Sequence, residues 1–511
     1  MPRFNVLMVL ADQHNASLFG GNGHSQVITP NFDAFAQSGT RFTNAYCQNP
    51  ICTPSRVSIL SGQYCHNHGY YGLSGPANFG LPNLMRHFKA GGYRTAGFGK
   101  LHLPNSPRNW LADDLDLFAD TYESVDGEHG ASPFLETLEA LGLRNLEDSW
   151  HNQNAYGPAS ITQDAQPSQL PYEHTQEVWC ARQAMNFIEQ DPDTPFCIQI
   201  AFQKPHHPLL PNQRFWDLYP DNLDLPETYA VEPAARPPHF RDMWQRFRES
   251  SWDFGSEGEA FEEGARRAWR GTLACISQVD DVFGMLMRFL EEQGLADSTI
   301  VIYGSDHGAY HGIHGIGEKA PGICSDAVCR VPMLWRVPGV TRQGTACDAL
   351  VENVDMAPTL ASLCELSPME AADGADITPL LQGKDAQPHT VAVTENPWSK
   401  AIRWKNWRMV HYPEDMFGSD SAETGELYDL DRDPQERRNL YADPECRHIV
   451  HEGHRHLLDW LIQTRRVVTS HPAVKSGEDT RSYSTYPICG DGSAPNRVQP
   501  HTRGDNNINY L

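Results

Sequence analysis

Apolar residues in the first 385 positions occur in short runs that alternate with longer helical patterns. Four of these runs are continuous enough to predict strands buried on both faces, at 6–10, 93–98, 196–202 and 299–303. Apolar residues three or four positions apart predict helices at 31–38, 81–90, 177–190, 264–293 and 356–364. Strands that alternate with helices predict an α/β fold in which helices sandwich a large, mostly parallel sheet.

The pattern changes near residue 385. Strict alternation of apolar and polar residues predicts a small antiparallel sheet with strands at 391–394, 400–403, 407–410 and 426–430, closed by a helix at 446–466. The final stretch has almost no apolar periodicity, which predicts either a disordered segment or an arm that joins subunits of a homo-oligomer. We therefore divide the chain into an α/β domain (1–385), a C-terminal α+β subdomain (386–466) and a polar tail (467–511).

Two further stretches, 105–175 and 208–260, are rich in Pro, Trp, Asn and acidic residues and have weak periodicity. Long insertions of this kind commonly carry binding loops. We expect both to cover one edge of the sheet and to select the substrate.

Composition narrows the class of protein and its compartment. The formal net charge of −25 over 511 residues argues against nucleic acid or an anionic membrane as the partner. Twelve cysteines are spread through the chain without zinc-type spacing, which favours a reduced, cytoplasmic pool. The sequence shows neither a signal-peptide pattern nor an apolar stretch long enough to span a bilayer.

Cys52 is the most informative single residue. Thr53 is predicted as a helix N-cap and Pro54 as the first helical residue, so Cys52 would face the unpaired N–H groups at the start of a helix. Arg56 lies four residues on, where its guanidinium could bind an oxyanion or the nucleophile itself. The pattern predicts an anion site that contains a nucleophile, although a buried structural cysteine is the ordinary alternative.

Coordinating side chains follow the first and fourth predicted strands. Asp12 and Gln13 come after the first strand, and Asp306 and His307 come after the fourth. Ligands of open α/β sheets bind at the carboxyl ends of the strands. Two carboxylates, an amide oxygen and an imidazole suit Ca²⁺, Mg²⁺ or Mn²⁺. Taken alone, Asp12 could instead be a turn or cap residue.

Cationic side chains follow the second and third strands and the loop after the fourth. Lys100 and His102 lie two apart on a segment predicted to be extended, so both would face one anion. The other cationic candidates are His206 and Lys319. His311 and His314, in the same glycine-rich loop as Lys319, are either substrate contacts or ordinary loop residues.

Taken together, these motifs resemble those of the sulfatases, a family of the alkaline phosphatase superfamily, from residue 4 to about 440. The motifs that carry the resemblance are Cys-Thr-Pro-Ser-Arg at 52–56, Gly-Lys-Leu-His at 99–102, Ser-Asp-His-Gly at 305–308 and Val-Asp-Met-Ala-Pro-Thr at 354–359. The resemblance implies a sulfuric ester hydrolase with an alkaline-phosphatase-like fold. Its substrate would be a small sulfate ester, including a sulfated sugar.

The resemblance also implies roles for the candidate residues. A formylglycine-generating enzyme would convert Cys52 to formylglycine, and Arg56 would hold that nucleophile. The implied ligands of one divalent cation, with Ca²⁺ ahead of Mn²⁺ and Mg²⁺, are Asp12, Gln13, Asp306 and His307. The implied stabilisers of the transferring oxygens are Lys100, His206 and Lys319, and the implied proton carrier is His102 or His206.

Two departures from the family pattern keep other activities open. Gln13 stands where many sulfatases have an aspartate, and His307 where many have an asparagine, which is similar to choline sulfatases and phosphonate monoester hydrolases. A phosphonate monoester or phosphodiester hydrolase with the same nucleophile is therefore the second hypothesis. The Gly-Lys-Leu-His stretch at 99–102 favours a sulfate ester as the substrate. A cysteine-thiolate phosphatase would not need the metal residues, and a non-catalytic anion-binding protein would be expected to have lost the nucleophile, Arg56 or a metal carboxylate.

Overall fold

The computed structural model of the chain describes residues 3–73, 75–121, 132–147, 165–230, 236–249, 259–319, 324–413 and 425–465. The strands are β1 (Asn5–Asp12), β2 (Thr40–Tyr46), β3 (Arg94–Gly99), β4 (Leu117–Asp120), β5 (Phe196–Pro205), β6 (Thr299–Ser305), β7 (Met333–Arg336), β8 (Thr345–Glu352), β9 (Ala392–Glu395), β10 (Lys400–Trp404), β11 (Trp407–His411) and β12 (Gly425–Asp429). The α-helices are α1 (Pro30–Ser38), α2 (Cys52–Ser61), α3 (Cys65–His68), α4 (Leu84–Ala90), α5 (Pro133–Ala140), α6 (Gln176–Gln190), α7 (Gln213–Trp216), α8 (Pro238–Glu249), α9 (Glu259–Glu292), α10 (Asp326–Cys329), α11 (Met356–Leu363), α12 (Thr378–Leu381) and α13 (Arg447–Thr464).

Eight strands form the large sheet, in the order β4-β3-β5-β1-β6-β7-β2-β8. β7 is antiparallel to both of its neighbours, and the other pairs are parallel. β1 lies in the middle between β5 and β6, and each of its eight residues is buried, as its continuous apolar run predicts. The predicted α/β fold with a mostly parallel sheet is confirmed.

Helices cover both faces of this sheet. On one face, Leu60 of α2, Leu84 of α4 and Leu360 of α11 share a core with β1 residues such as Met8. On the other face, residues of α1, α6 and α9 pack against alternate residues of the same strands. Because successive side chains of a strand point to opposite faces, the apolar run of β1 supplies both cores.

The four predicted strands of the large sheet are present, with ends shifted by a few residues, and the sequence prediction missed β2, β4, β7 and β8. β8 lies at the edge and alternates between intermediate and exposed residues over most of its length, so it has no continuous apolar run. Helix α4 begins at Leu84 rather than 81, because the Asn83 side chain accepts a hydrogen bond from the Arg86 N–H and caps it there.

The C-terminal sheet is antiparallel, as predicted, and its strands lie in the order β12-β11-β10-β9. Its core packs Trp404 and Met409 against Trp460 of α13. The proposed tail (467–511) lies outside the described residues, as do parts of the two insertions, and the domain boundaries stay a prediction. No helix in the described part of the chain is both long and apolar enough to cross a membrane.

Candidate active site

The strands of the large sheet bring most of the predicted site residues to one edge. β1 runs parallel to β6, and Ala11 is level with Ser305. Asp12 and Asp306 therefore leave adjacent strands side by side. Lys100 follows β3, which pairs with β5 on the other side of β1. The carboxyl ends of parallel strands thus build the site, as expected for an open α/β sheet.

The helix that carries Cys52 begins two residues earlier than the sequence predicts. Cys52 itself is the first helical residue of α2, and the N-cap position belongs to Ile51. Thr53 is not the cap, because its hydroxyl donates to a loop carbonyl, that of His102, at 3.0 Å. Pro54 still lies in the first turn, where its missing N–H costs nothing.

Cys52 is buried within a group of charged side chains. Its Sγ atom lies 3.6 Å from Asp12 Oδ1 and 3.3 Å from His307 Nε2. Burial and Asp12 raise the pKa of the Cys52 thiol, but Lys319, Lys100 and His307 outweigh them and lower it to about 5. The surroundings therefore stabilise a negative charge on the side chain at this position.

Asp12, Asp306 and His307 offer a ligand set for a divalent cation. Single ligand atoms from these three residues and Cys52 lie within 4.8 Å of one another. His307 Nδ1 lies 2.8 Å from the Gly308 carbonyl, so Nε2 is the nitrogen that faces the carboxylates. Nε2 lies 3.9 Å from Asp12 Oδ1 and 3.8 Å from Asp306 Oδ2, beyond hydrogen-bond distance.

The electrostatics of this group also favour a cation. Burial lowers the pKa of His307, but Asp306 and Cys52 raise it to about 9, so the surroundings favour positive charge at this ring. A divalent cation among the same atoms would take the place of that proton. The residues present therefore fit the predicted metal.

Arg56 binds the two carboxylates. Its Nε donates to Asp306 Oδ2 at 2.9 Å, its Nη2 to Asp12 Oδ2 at 3.1 Å, and its Nη1 to the Lys100 carbonyl. These bonds hold both carboxylates in place from the next turn of α2. We refer to Asp12, Cys52, Arg56, Asp306 and His307 as the Cys52 cluster.

Gln13 and His311 extend this cluster. Gln13 has a φ of 70°, and its N–H donates to Asp306 Oδ1 at 3.2 Å. Burial lowers the pKa of His311 to about 4, so its neutral ring can donate from Nε2 to the Gln13 carbonyl, 2.9 Å away. The structure thus places His311 behind Gln13, where it supports an unusual backbone conformation.

Lys100 and His102 reach the site, but not along an extended segment as predicted. β3 ends at Gly99, whose φ of +100° and close approach to the Ala201 carbonyl exclude a side chain. Lys100 then turns inward, and its Nζ lies 2.7 Å from Asp12 Oδ2. His102 has a φ of 44°, so the alternation of an extended strand does not apply.

His102 nevertheless lies within the field of the site. Burial, Lys100 and Arg56 hold its pKa well below its usual value, so the ring is neutral. Its Nδ1 atom is buried and has no hydrogen-bond partner among the described residues.

His206 and Lys319 lie together on another side of the site. Lys319 Nζ lies 3.4 Å from His206 Nε2, and His206 Nδ1 lies 2.6 Å from the His207 carbonyl. Burial, Lys100, His207 and Lys319 lower the pKa of His206 to about 3. A neutral His206 therefore donates from Nδ1 and accepts the Lys319 ammonium at Nε2.

Sequence reasoning missed the role of Glu318, whose carboxylate contacts Gln13, His207 and Lys319. In the sequence, only its position next to Lys319 indicates that Glu318 could lie in the site. Ligand atoms of His206, His207 and Glu318 also lie within 4.8 Å of one another, which resembles a second metal site. The Lys319 ammonium lies between His206 and Glu318, so this group already holds a positive charge.

His314 does not join the Cys52 cluster. Its Nε2 lies 3.3 Å from Arg236 Nη2, within a separate group of buried charges between the large domain and the C-terminal sheet. This interface cluster consists of Arg236, Asp326, Arg408, Glu426 and Glu436. The structure shows no contact of His314 with the predicted catalytic residues.

Comparison with known proteins identifies the family. The profile described as "Sulfatase" matches residues 4–366, and the profile "N-sulphoglucosamine sulphohydrolase, C-terminal" matches residues 322–463. A choline-sulfatase of Rhizobium meliloti is 28% identical over 452 residues, which cover 86% of this chain and 83% of that protein. The multifunctional alkaline phosphatase superfamily protein PehA of Trinickia caryophylli is 26% identical over 528 residues, which cover 94% of this chain and 100% of that protein.

Solved structures agree on the fold. The phosphonate monoester hydrolase of Agrobacterium radiobacter superposes with a TM-score of 0.74 at 22% identity and covers 91% of this chain and 96% of its own. Because the first profile matches well over half of the 511 residues, the chain belongs to the sulfatase family and is a sulfatase-type enzyme with the fold of the alkaline phosphatase superfamily.

Proposed function

We propose that this enzyme is a formylglycine-dependent sulfuric ester hydrolase that cleaves a small sulfate ester, with sulfated sugars among the candidates. The observation that carries the proposal is the position of Cys52 Sγ, 3.6 Å from Asp12 Oδ1 and 3.3 Å from His307 Nε2. A nucleophile at this position lies among the candidate metal ligands and within the field of Lys100 and Lys319. Names of relatives support the substrate class, since they include a choline-sulfatase and an N-acetylglucosamine-6-O-sulfatase.

Conversion of Cys52 to formylglycine is part of the proposal. The hydrated aldehyde would supply one hydroxyl as the nucleophile and a second to expel the product anion. Cys52 is only 1% exposed in the folded chain. A formylglycine-generating enzyme would therefore have to act before the large domain closes around α2.

One divalent cation, Ca²⁺ first and Mn²⁺ or Mg²⁺ as alternatives, would be held by Asp12, Gln13, Asp306 and His307. The cation would acidify the attacking hydroxyl and polarise an oxygen of the ester. Arg56 keeps the two carboxylates fixed, and through them the position of the nucleophile.

The remaining charges fit an anionic substrate. The cations near the nucleophile are Arg56, Lys100 and Lys319, and the carboxylates are Asp12, Asp306 and Glu318. These residues nearly neutralise each other, so a bound divalent cation would leave the site positive overall. Lys100 and Lys319 would then stabilise the oxygens of the transferring group.

His102 is the better candidate for proton transfer. Both ring nitrogens of His206 are engaged, one with its own loop and one with Lys319. His102 is neutral and has a buried Nδ1 without a partner in the part of the chain that the structure describes. We assign to His102 the proton of the second hydroxyl or of the leaving oxygen, and to His206 the positioning of Lys319.

A phosphonate monoester or phosphodiester hydrolase is the second candidate. Gln13 is a neutral ligand at a position where many sulfatases have an aspartate, so it offsets less of the metal's charge than that carboxylate would. The fold likeness to a phosphonate monoester hydrolase is consistent with this alternative, but at 22% identity it shows the fold alone.

The two candidates differ in one ratio of rates. The protein would be produced with a formylglycine-generating enzyme, loaded with Mn²⁺ or Ca²⁺, and assayed with 4-nitrophenyl sulfate and 4-nitrophenyl phenylphosphonate. We expect a higher kcat/KM for the sulfate. A clear preference for the phosphonate would replace the first proposal with the second.

The proposal also retains a cytoplasmic location. The eleven cysteines in the described part of the chain are free, in keeping with a reduced pool. A small sulfate ester that is imported or made inside the cell would then be the substrate. Fractionation of the source cells, with activity in the membrane-free lysate as the expected result, tests this location.

A further inference from the structure

Glu318 is an acidic residue of the site that is not among the four predicted metal ligands. Its Oε1 atom lies 2.5 Å from Gln13 Nε2 and 3.1 Å from Lys319 Nζ, and its Oε2 atom lies 2.5 Å from His207 Nδ1. Its side chain is 12% exposed, as is that of Lys319. Three nitrogen atoms thus surround one largely buried carboxylate.

The first consequence concerns the Gln13 amide. Only the NH₂ group of an amide can donate to a carboxylate, so Nε2 must face Glu318. The amide oxygen is then the atom left to face a cation. Glu318 therefore fixes which end of Gln13 serves the metal site.

The second consequence concerns Lys319. An oxyanion bound beside this ammonium also experiences the negative charge of Glu318, 3.1 Å from Nζ. That repulsion doubles when the bound group carries two negative charges in place of one. A sulfate monoester carries one, whereas a phosphate monoester carries close to two above a pH of about 6.

We propose that Glu318 is a specificity-determining residue that makes the site prefer singly charged esters over doubly charged phosphate monoesters. The inference rests on the proposed function, because it assumes that Lys319 faces the transferring group. It goes further in naming the charge of the substrate as the property that the site selects. Glu318 acts through Lys319 and Gln13 and need not touch the substrate.

Glu318→Gln removes the charge and keeps an acceptor for Gln13, so it separates charge from geometry. At pH 8 we compare kcat/KM for 4-nitrophenyl phosphate with kcat/KM for 4-nitrophenyl sulfate. We expect the phosphate-to-sulfate ratio to rise by about ten-fold, which is the effect expected from removing one nearby charge that solvent does not screen. Glu395→Gln is the matched control, because Glu395 is a buried carboxylate paired with Lys400 at 3.0 Å and has no described contact with Lys319. Its ratio should equal that of the unchanged enzyme.

Binding supplies a readout that does not need turnover. In the Cys52→Ala background, loaded with Mn²⁺, calorimetry would compare sulfate, a dianion, with sulfamate, a monoanion. Glu318→Gln should raise the relative affinity for the dianion by about ten-fold, and Glu395→Gln should not.

Three results would decide between the claims. Unchanged ratios in Glu318→Gln would overturn the inference, even if Glu318→Ala lowered kcat, because that pattern belongs to a structural role. Equal rises in Glu318→Gln and Glu395→Gln would also overturn it. Failure of the fully converted parent enzyme to cleave 4-nitrophenyl sulfate would reject the proposed function, while the binding ratio would still test Glu318.

Discussion

Two buried groups of charges, the Cys52 cluster and the interface cluster, differ in how their members are satisfied. In the interface cluster, Glu426 binds Arg236 at 2.8 Å and accepts hydrogen bonds from Tyr412 at 2.7 Å and Tyr428 at 2.6 Å. The protein itself supplies all of these partners. A carboxylate satisfied in this way joins two parts of a fold and needs no ligand.

The Cys52 cluster is arranged differently. His307 Nε2 and the nearest carboxylate oxygens converge at 3.8 to 3.9 Å without bonding one another, and the nucleophile position lies among them. Arg56 and Lys100 hold the carboxylates from outside. Burial of charge is common to both clusters. The convergence of ligand atoms that do not bond one another around the nucleophile position is what distinguishes the Cys52 cluster.

The largest expected effect follows from removing the nucleophile. Cys52→Ala should lower kcat/KM for 4-nitrophenyl sulfate by about 10⁵-fold or more, as loss of a covalent nucleophile does. The melting temperature should stay within a few degrees of the parent value, because the residue is small and at the start of a helix. Stopped assays on metal-loaded protein measure the first quantity and calorimetry the second. A near-native rate would remove Cys52 from the mechanism.

Asp306→Ala should affect metal content and activity together. Loss of a carboxylate ligand would lower kcat/KM by about 10³-fold or more and reduce the metal bound after dialysis. Mass spectrometry of the metal, alongside the rate, checks both. Unchanged stoichiometry would show that the cation binds elsewhere.

Arg236→Met tests the interface cluster and should act on stability. It removes the guanidinium that is hydrogen-bonded to the buried Glu426, which costs up to about 3–5 kcal/mol of unfolding free energy. The kcat/KM of the folded fraction should not change. Adding Glu426→Gln should restore part of the stability. Denaturant unfolding of both variants measures the loss of stability and its partial recovery. A large loss of kcat/KM in folded Arg236→Met would contradict the prediction, because it would mean that the two clusters are coupled.

Two histidines, His102 beside the Cys52 cluster and His314 beside the interface cluster, allow the same substitution to be compared at both places. His102→Ala should lower kcat by about 10²-fold if it moves a proton in the reaction. His314→Ala should leave kcat unchanged and lower only the melting temperature, because His314 contacts Arg236. Rate measurements across pH for both variants test the assignment. Equal kinetic defects would contradict it.

The smallest expected effect concerns His389 and the pH dependence of the unfolding free energy. Burial lowers the pKa of His389, but Asp355 and Glu352 raise it to about 9. A histidine with a raised pKa in the folded state stabilises the protein fully below about pH 6.5 and loses that contribution as pH rises through about 9. Burial also raises the pKa of Glu352 to about 7, and charged neighbours raise the pKa of His307 to about 9 despite its burial. Between pH 7 and 9, therefore, only the difference between the parent and a His389 variant isolates His389.

His389 contributes about 2 kcal/mol to the decline in unfolding free energy expected over that range. His389→Gln should remove that contribution and leave the rest of the decline in place. Urea titrations at several pH values measure the difference between the two proteins. The same decline in both would assign it to another group.

Much of this arrangement could be predicted from local sequence patterns. Continuous apolar runs predicted β1, β3, β5 and β6, and the polar residues just after them predicted where the site lies. β8 could not be found in this way, because an edge strand has no continuous apolar run. Local pattern also misplaced the start of α2, since the Thr53 hydroxyl bonds to a distant loop rather than to its own helix.

The details of the site depend on contacts that spacing does not show. His311 and His314 lie three residues apart, yet one supports Gln13 and the other contacts Arg236. Left-handed backbone at Gln13 and His102 also changes the directions of side chains from those of an extended chain. These features are set by tertiary packing between segments far apart in sequence.

The central claim is that the converted side chain of Cys52 is the nucleophile. The most direct test is to prepare the metal-loaded enzyme with graded amounts of formylglycine-generating enzyme and to plot kcat for 4-nitrophenyl sulfate against the converted fraction of residue 52, measured by peptide mass spectrometry. The account predicts a straight line through the origin at constant metal content. Full turnover in protein that retains unmodified Cys52 would contradict it.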